Sequence, residues 1–357
     1  MNIGYIYIGN LKIGSGVHKK IKEQVRQWRE LGNNVRIFHF PVDKINSFVD
    51  DEEGVFEPIT NILFYKINCF REIMEFSDII YMRYNFISLD AYRLISHIPT
   101  VVEINSDEIA EYKLERFNGW KKTIKYYLNK INRLLFMSKV VGKVCVTEEL
   151  KEKEMQFNAN IPTIALPNPL YSIDNRMSGE IHLGKIIPQL VFIGSPGQPW
   201  HGIDKIIQLA TATVGKLDIN IIGMEKPVMS VPENIHFCGY LSKEQYDKYL
   251  QEADVGIGTL ALHRKHMNEA CPLKIREYLA YGLPIIIGYK DTAFLNIGKK
   301  EWLLELPNIE SNVMDAVDDI VAFANKVKGY KVNPDEVEFM SSRKIEEQRI
   351  EFFSKFL

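Results

Sequence analysis

Short apolar segments alternate with longer amphipathic segments along the chain. Apolar runs bounded by turn-forming residues favour strands, whereas apolar positions recurring every three or four residues favour helices. The pattern predicts strands over 3–8, 34–40, 79–82, 100–104, 143–146, 163–166, 189–193, 218–222, 235–237, 254–257 and 284–287. It predicts helices over 17–31, 60–75, 89–96, 120–136, 203–214, 243–252, 272–281, 313–327 and 334–357. Such alternation is typical of α/β folds, in which helices cover both faces of parallel sheets.

The alternation runs through the chain twice. A polar stretch over 171–185, rich in turn-forming residues, separates the two runs and is the predicted hinge. We therefore expect two doubly wound, Rossmann-like domains over 1–175 and 176–335, facing each other across a ligand-binding cleft. A long amphipathic helix is expected to follow over 336–357.

Composition is that of a globular protein rather than a specialised one. The 357 residues are 46% hydrophobic and 25% charged, with a net charge of −2, so the chain as a whole has no excess of positive charge for nucleic acid. The four cysteines have no metal-ligand spacing and are expected to be reduced thiols. No apolar run reaches the roughly 18–20 residues of a membrane span, and the first residues lack a basic leader. The expected location is the cytoplasm.

The most informative segment contains two glutamates, Glu269 and Glu277, separated by seven residues. Pro272 suits the first turn of a helix, and Gly282 suits the left-handed residue just after its end. Glu277 therefore lies within the predicted helix and Glu269 in the loop before it. Two carboxylates at such a point are good acceptors for sugar hydroxyls.

The start of this helix also favours an anion. The amides of Leu273 and Lys274 point out of the helix N-terminus after Pro272, where the helix dipole stabilises negative charge. The Lys274 side chain adds a full positive charge. A phosphate site flanked by two carboxylates predicts the binding of a nucleotide sugar.

The string from Glu269 to Tyr278, Glu-Ala-Cys-Pro-Leu-Lys-Ile-Arg-Glu-Tyr, resembles the retaining glycosyltransferases of family 4, which have the GT-B fold. Their C-terminal domain carries a Glu-x7-Glu motif, often with a serine where this chain has Cys271. The resemblance implies that Glu269 contacts the transferred sugar and Glu277 the ribose of the donor. It also implies that the last helix crosses back onto the first domain.

Sugar transfer leaves negative charge on the departing phosphate, which a metal or fixed donors must stabilise. The sequence has no Asp-x-Asp pair and no cluster with ligand spacing, so we expect no metal and no cofactor beyond the donor itself. Gly14 and Gly16 follow the first strand in a loop that the family places against the donor diphosphate. A nicotinamide fingerprint is poorly supported there, because Lys19 occupies its third glycine position.

Two family positions differ in this chain. Ser195 and His201 stand where the family commonly has an arginine and a lysine that bind the diphosphate, so less positive charge is expected there. Compensation could come from Lys274 or from the basic run 263–266, for which a solvated loop is the alternative. Asn105 stands where many members carry a histidine near the sugar, and it can hydrogen-bond a hydroxyl but not act as a base.

A second surface feature lies over 116–143, which holds eight lysines or arginines and no acid. Interleaved with them are apolar and aromatic residues that include Phe117, Trp120, Tyr126, Tyr127, Leu134, Leu135 and Phe136. A basic amphipathic helix with aromatic residues can bind an anionic membrane. The alternative is an ordinary helix whose apolar stripe packs on its own domain. Nucleic-acid binding is less favoured, since no recognised module accompanies the segment.

The resemblance implies a retaining glycosyltransferase that acts from a nucleotide-diphosphate sugar on a glycan or lipid-linked glycan of cell-surface polysaccharide synthesis, and the absence of a ligand cluster adds the expectation that it needs no metal. Two alternatives stay open, a nucleotide-sugar epimerase and a catalytically silent protein of the same fold that serves as a binding subunit. The intact pair Glu269 and Glu277 argues against the silent protein, whereas Ser195 and His201 favour it.

Overall fold

The structure is a computed structural model that describes residues 1–9, 11, 15–40, 54–56, 67–84, 89–117, 119–171 and 186–357. The chain divides into two compact units. Unit 1 comprises Met1–Pro167 together with Ser342–Leu357, and unit 2 comprises Asn168–Ser341. The predicted hinge over 171–185 lies, apart from its first residue, outside the described residues.

Unit 1 is built on a parallel sheet of seven strands. The strands are β1 (Asn2–Ile8), β2 (Asn34–Phe40), β3 (Gly54–Phe56), β4 (Ile79–Arg83), β5 (Thr100–Ile104), β6 (Gly142–Cys145) and β7 (Thr163–Ala165). The helices between them are α1 (Gly16–Glu30), α2 (Ile67–Phe76), α3 (Leu89–Ile95), α4 (Glu108–Glu115), α5 (Trp120–Met137) and α6 (Glu148–Phe157).

Unit 2 repeats this plan around a parallel sheet of six strands. Its strands are β8 (Gln189–Ile193), β9 (Asp218–Ile222), β10 (Ile235–Phe237), β11 (Val255–Ile257), β12 (Glu269–Ala270), β13 (Ile285–Ile287), β14 (Lys290–Asp291) and β15 (Leu303–Glu305), of which β12 and β14 form a separate pair. Its helices are α7 (Ile203–Ala212), α8 (Lys243–Glu252), α9 (Leu273–Ala280), α10 (Asn312–Asp315), α11 (Val317–Lys326) and α12 (Pro334–Val337). The chain then returns to unit 1 as α13 (Ser342–Phe353).

Both sheets have the strand order of a doubly wound fold. The order is β3-β2-β1-β4-β5-β6-β7 in unit 1 and β10-β9-β8-β11-β13-β15 in unit 2, and all the pairings are parallel. In each sheet the order reverses beside the first strand, between β1 and β4 and between β8 and β11. Ligands of such sheets bind outside the carboxyl ends of the strands at that reversal.

The core of unit 1 includes residues of α13. Phe353 packs edge-on against Trp28 of α1, with ring centroids 5.5 Å apart. Glu346 and Arg349 are fully buried, and Glu346 accepts a 2.7 Å hydrogen bond from Trp28 Nε1. Arg349 in turn donates to Tyr81 Oη on β4 at 2.7 Å. Because a buried charge is costly unless paired, these contacts fix α13 on the domain.

Most predicted elements are present with similar bounds, and the differences have local causes. The single helix predicted over 334–357 is wrong, because the chain becomes extended at Ser341 (φ −57°, ψ 142°) between α12 and α13. The helix predicted over 313–327 is interrupted at Ala316, which separates α10 from α11. The short strands β3 and β15 were not predicted, since three residues are too few to show a clear period. The helices α4 and α6 were not predicted either.

Candidate functional site

Helix α9 begins and ends where the sequence indicates. Pro272 has extended backbone (φ −72°, ψ 141°) and is the N-cap residue rather than part of the first turn. Gly282 has φ +67°, the left-handed conformation predicted for it. The amides of the first helical turn, including those of Leu273 and Lys274, have no partner within the helix. They are therefore available to an acceptor outside it.

Lys274 is the most unusual charged side chain of unit 2. Its Nζ is shielded from solvent, has no hydrogen-bond partner in the described part of the chain, and lies 4.0 Å above the centre of the Phe192 ring. Burial lowers the pKa of this amine from its ordinary 10.5 to about 7. A buried amine without an acceptor is costly, so this position favours an anionic ligand.

The loop after β8 lies beside this lysine. A Cβ on Gly194 would come within 3.0 Å of His201 Nδ1 and 2.5 Å of Phe192, so only glycine fits. Burial lowers the pKa of His201 to about 3, and the nearby charge of Lys274 lowers it as well. A hydrogen bond with the Ser195 backbone raises this pKa but does not outweigh the other two effects. His201 is therefore neutral at pH 7. The sequence expectation of a partly charged histidine is wrong.

The loop after β9 closes against the same point. Gly223 has φ +90°, and a Cβ there would lie 2.2 Å from the carbonyl oxygen of Gly194. The two strand-end loops are therefore in backbone contact, which no larger residue would allow. Gly223 was not singled out from the sequence, although a glycine directly after a predicted strand was the available signal.

Glu269 lies in the short strand β12, which pairs with β14. Its Oε2 accepts a 2.9 Å hydrogen bond from Thr292 Oγ1, and the side chain is half-buried. Pairing with β14 gives the loop before α9 a fixed backbone, so the carboxylate is held beside the helix start. The two-residue pairing could not be seen in the sequence.

Glu277 lies one turn into α9. Its Oε1 accepts a 3.0 Å hydrogen bond from Tyr246 Oη of α8, and the side chain is half-buried. The next residue, Tyr278, is fully buried and its Oη accepts from the Ile193 amide at the end of β8 (2.7 Å). Helix α9 is thus connected by its own side chains to α8 and to the loop that carries Ser195.

A buried ion pair supports the start of α9. Arg276 and Asp291 are both buried and make two hydrogen bonds of 2.7 and 2.9 Å. Arg276 Nε also donates to the Asn168 carbonyl (2.7 Å), and the Asn168 amide donates to Cys271 Sγ. Asn168, in the Pro-Asn-Pro sequence at 167–169, is buried against the helix start.

In the basic run 263–266, the side chains of Arg264 and His263 are paired with acidic residues. Arg264 makes a two-point ion pair with Asp204 (2.9 and 2.6 Å) and also bonds Glu310. His263 Nε2 contacts the same Glu310 at 2.6 Å. Neither interpretation of this run, as a solvated loop or as a source of charge for the donor, fits Arg264. Lys274 and Lys265 remain candidates for that compensation, because the charges of both lower the pKa of His201.

A cavity of about 550 Å³ opens at the carboxyl ends of β8, β9 and β10. Its walls include Ser195, Asp204, Met224, Glu225, Phe237 and Tyr240. This volume falls in the range of small-molecule sites, as does the mixture of apolar walls with a few polar groups. Apart from Ser195 these residues were not predicted. Their signal was the position of glycines just after two predicted strands, Gly223 and Gly239.

Two of the candidate residues of unit 1, Asn105 and Gly16, lie among the described residues. Asn105, at the end of β5, accepts from Lys20 Nζ (3.0 Å) and donates to Glu103 Oε2 (2.9 Å). Burial alone would raise the pKa of Glu103, but Lys20 and Arg349 lower it to about 2. Gly16 is the first residue of α1.

Gly14 lies outside the described residues. Among those that the structure describes, no group of three histidines, cysteines, aspartates or glutamates could hold a metal. The described cysteines Cys145, Cys238 and Cys271 are free thiols. No helix within the described ranges is long and apolar enough to cross a membrane.

Residues 187–329 match the family Glycosyl transferases group 1. They form a glycosyltransferase domain. The matched segment contains Lys274, both glutamates and the loops around Gly194 and Gly223.

Solved glycosyltransferases share the fold over the full chain length. HepE from Anabaena in complex with UDP-glucose has a TM-score of 0.67 at 12% identity, covering 99% of each chain. Sucrose-phosphate synthase from Thermosynechococcus elongatus has a TM-score of 0.64 at 12% identity, covering 99% of this chain and 98% of that one. An alpha-glucosyltransferase in complex with UDP-glucose and DNA has a TM-score of 0.62 at 12% identity, covering 99% of each chain. None of the curated protein sequences matches. The fold is GT-B, as predicted.

Proposed function

We propose that this glycosyltransferase is a retaining enzyme that transfers a sugar from a nucleotide-diphosphate donor to a glycan or lipid-linked glycan in cell-surface polysaccharide synthesis. The observation that carries the proposal is the buried Lys274 amine at the start of α9, which has no hydrogen-bond acceptor among the described residues. An apo site that holds such a group is built to receive an anion. The sugar-binding carboxylates Glu269 and Glu277 lie on the same short segment.

The diphosphate is proposed to lie between the α9 N-terminus and the loop after β8. The first amides of α9 and the Lys274 ammonium supply donors and charge. The close contact between Gly194 and Gly223 leaves backbone rather than side chains at the adjacent surface. The base of the nucleotide is proposed to occupy the 550 Å³ cavity, with Phe237 among its apolar walls.

The carboxylates are proposed to orient the donor rather than to react with it. Glu269 would accept hydrogen bonds from the transferred sugar and Glu277 from the ribose. Their bonds to Thr292 and Tyr246 each leave acceptor capacity on the carboxylate, since it has about four lone-pair sites. Asn105, which is bonded to Lys20 and Glu103, is proposed to hydrogen-bond a sugar hydroxyl but not to act as a base.

Catalysis is proposed to proceed without a metal. In this mechanism the α9 amides and Lys274 stabilise the charge that develops on the leaving phosphate, and each such donor is worth about 3 kcal/mol in the transition state. His201 contributes a neutral hydrogen-bonding group, because its pKa is about 3. The leaving phosphate itself would take the acceptor proton, as retention by front-face displacement requires.

Donor binding tests the proposal first. We expect UDP-glucose, the ligand of the HepE structure, to stabilise the protein without metal and in the presence of a chelator. A panel of GDP-, ADP-, CMP- and dTDP-linked sugars would identify the preferred base. At about 100 times the dissociation constant the gain is roughly 2.7 kcal/mol. Glu277→Ala should lose it, whereas Glu252→Ala, an exposed glutamate of α8, should keep it.

Product analysis separates the alternatives. Transfer with retention predicts a product whose anomeric configuration, read by nuclear magnetic resonance, matches that of the donor. Formation of an epimeric sugar or of free nucleotide without any acceptor would favour the epimerase. An absence of binding by every donor in the panel would refute the proposal and leave the binding-subunit interpretation.

A further inference from the structure

Helix α5 presents its apolar side to solvent. Seven large side chains fall on one stripe at spacings of three and four residues, each between 48% and 70% exposed: Trp120, Ile124, Tyr127, Leu128, Ile131, Leu134 and Leu135. At about 100° per residue the stripe is roughly 120° wide. Phe117, just before the helix, extends it and is 78% exposed. Contiguous exposed apolar surface of this kind marks an interaction site.

The opposite face of α5 holds the helix on unit 1, mainly through polar contacts. Asn129, Arg133, Phe136 and Met137 are its buried residues. Arg133 donates to Glu108 Oε2 at 3.1 Å and pairs with Glu154 of α6. Asn129 Oδ1 accepts from Tyr84 Oη at 3.2 Å. These buried bonds orient the helix, so the outward position of its apolar stripe is built into the fold.

Positive charge surrounds the stripe. At about 100° per residue Lys121 and Lys125 lie on one flank of the stripe and Lys130 on the other, and all three are exposed. Lys139 is exposed just after α5. No acidic residue occurs between Arg116 and Thr147. A second copy of this helix would bring like charges together, which opposes self-association. The complementary surface is therefore anionic at its edge and apolar within.

We propose that the apolar stripe of α5 and its flanking lysines dock the protein on an anionic lipid surface, with the stripe at the boundary between headgroups and acyl chains. Trp120 and Tyr127 suit that depth, because their rings are apolar with a polar edge. Nucleic acid shares the negative charge, but its protein interfaces are polar and do not need an exposed aliphatic stripe. This proposal adds a partner, an anionic lipid surface, to the function proposed above. It rests on that function only for the biological purpose of lipid binding and not for the binding itself.

Vesicle binding tests the surface with the full chain. Co-sedimentation at 0.1 M salt should be strong with phosphatidylglycerol vesicles and weak with phosphatidylcholine vesicles. Each lysine near an anionic surface strengthens binding about fivefold, so the triple variant Lys121→Gln, Lys125→Gln, Lys130→Gln should bind about a hundredfold more weakly. The double variant Ile124→Glu, Ile131→Glu should abolish binding. Val228→Glu, an exposed residue of unit 2, is the matched control and should bind as wild type.

Fluorescence gives a readout of depth. The emission of Trp120 should shift to the blue with anionic vesicles, and Trp120→Phe should remove the shift. Trp28 and Trp302 are fully buried and Trp200 of unit 2 is half-buried, and these three supply the background emission. The proposal would be overturned if Trp120→Phe showed the same blue shift as the wild type. It would also be overturned if the double variant Ile124→Glu, Ile131→Glu bound anionic vesicles as tightly as the wild type.

Two further measurements identify other occupants. If analytical ultracentrifugation shows a dimer and the double variant Ile124→Glu, Ile131→Glu is a monomer, the partner of the stripe is a second copy of the protein rather than lipid. If the protein binds duplex DNA more tightly than anionic vesicles, the partner of the stripe is nucleic acid rather than lipid. Stabilisation by UDP-glucose should be unchanged in all the α5 variants, so loss of vesicle binding and loss of donor binding are scored separately.

Discussion

Replacing Lys274 by methionine should stabilise the protein without ligand while removing donor binding. Methionine keeps the length of the side chain and its contact with Phe192 but carries no charge. The pKa of the amine falls from 10.5 to about 7 in the folded protein. At about 1.4 kcal/mol per pKa unit, holding the charge at pH 7 costs the fold up to roughly 4 kcal/mol. Replacing buried charges by apolar residues typically gains about 1–4 kcal/mol.

The sign of this effect follows from proton binding. Between pH 7 and about 10 the unfolded chain keeps the Lys274 proton that the folded chain has released, so this residue makes the stability of the wild type rise with pH in that window. Lys274→Met lacks this contribution. The advantage of the variant should therefore be largest at pH 7 and below, and should shrink towards pH 10.

Thermal unfolding at pH 7 and pH 9, with and without UDP-glucose, measures both effects. We expect the Tm of apo Lys274→Met to rise by about 4–8 °C at pH 7, with no further rise when UDP-glucose is added. Lys248→Met, at an exposed lysine of α8, should change stability by no more than about 0.5 kcal/mol and keep the ligand response. If Lys274→Met without ligand is less stable than the wild type, or if UDP-glucose stabilises it as much as the wild type, the assignment of Lys274 to an anion-binding site is refuted.

Three further results are expected. Donor affinity, measured calorimetrically with UDP-glucose, should fall about tenfold from pH 7 to pH 8.5 as Lys274 loses its proton, and a flat profile would contradict a pKa near 7; His201 does not titrate in this range because its pKa is about 3. Glu277→Gln should weaken donor binding about 10–100-fold, the value of a hydrogen bond to a charged acceptor, and an unchanged titration would remove it from the site. Gly256→Ala should destabilise the fold by about 1–3 kcal/mol in chemical denaturation, because the new Cβ would lie 2.4 Å from Tyr278; unaltered stability would show that the close contact is relieved without cost.

The sequence predicted the elements whose signals are local. The bounds of α9 followed from Pro272 and Gly282, since backbone preferences at a helix end depend on one or two residues. The buried strands of both sheets were found because their apolar runs have clear limits. The two-domain α/β architecture followed from the order of these elements.

Other features depend on partners distant in the chain. The neutral state of His201 results from burial and from Lys274, 73 positions later in the sequence. The pairing of Arg264 with Asp204 and Glu310 likewise joins three separate segments. No local pattern shows such contacts. The basic run 263–266 was for that reason interpreted without its acidic partners.

The return of α13 to unit 1 has a consequence for how the protein is made and how it can be divided. Residues 342–357 complete the core around Trp28, so unit 1 cannot finish folding until unit 2 has been synthesised. Unit 2, in contrast, is continuous over 168–341 and can fold as soon as it emerges. A deletion that removes the C-terminal residues would therefore destabilise unit 1, which contains the N-terminal part of the chain, before it affects unit 2. To express unit 1 alone, residue 167 must be joined to residue 342 rather than followed by a stop codon.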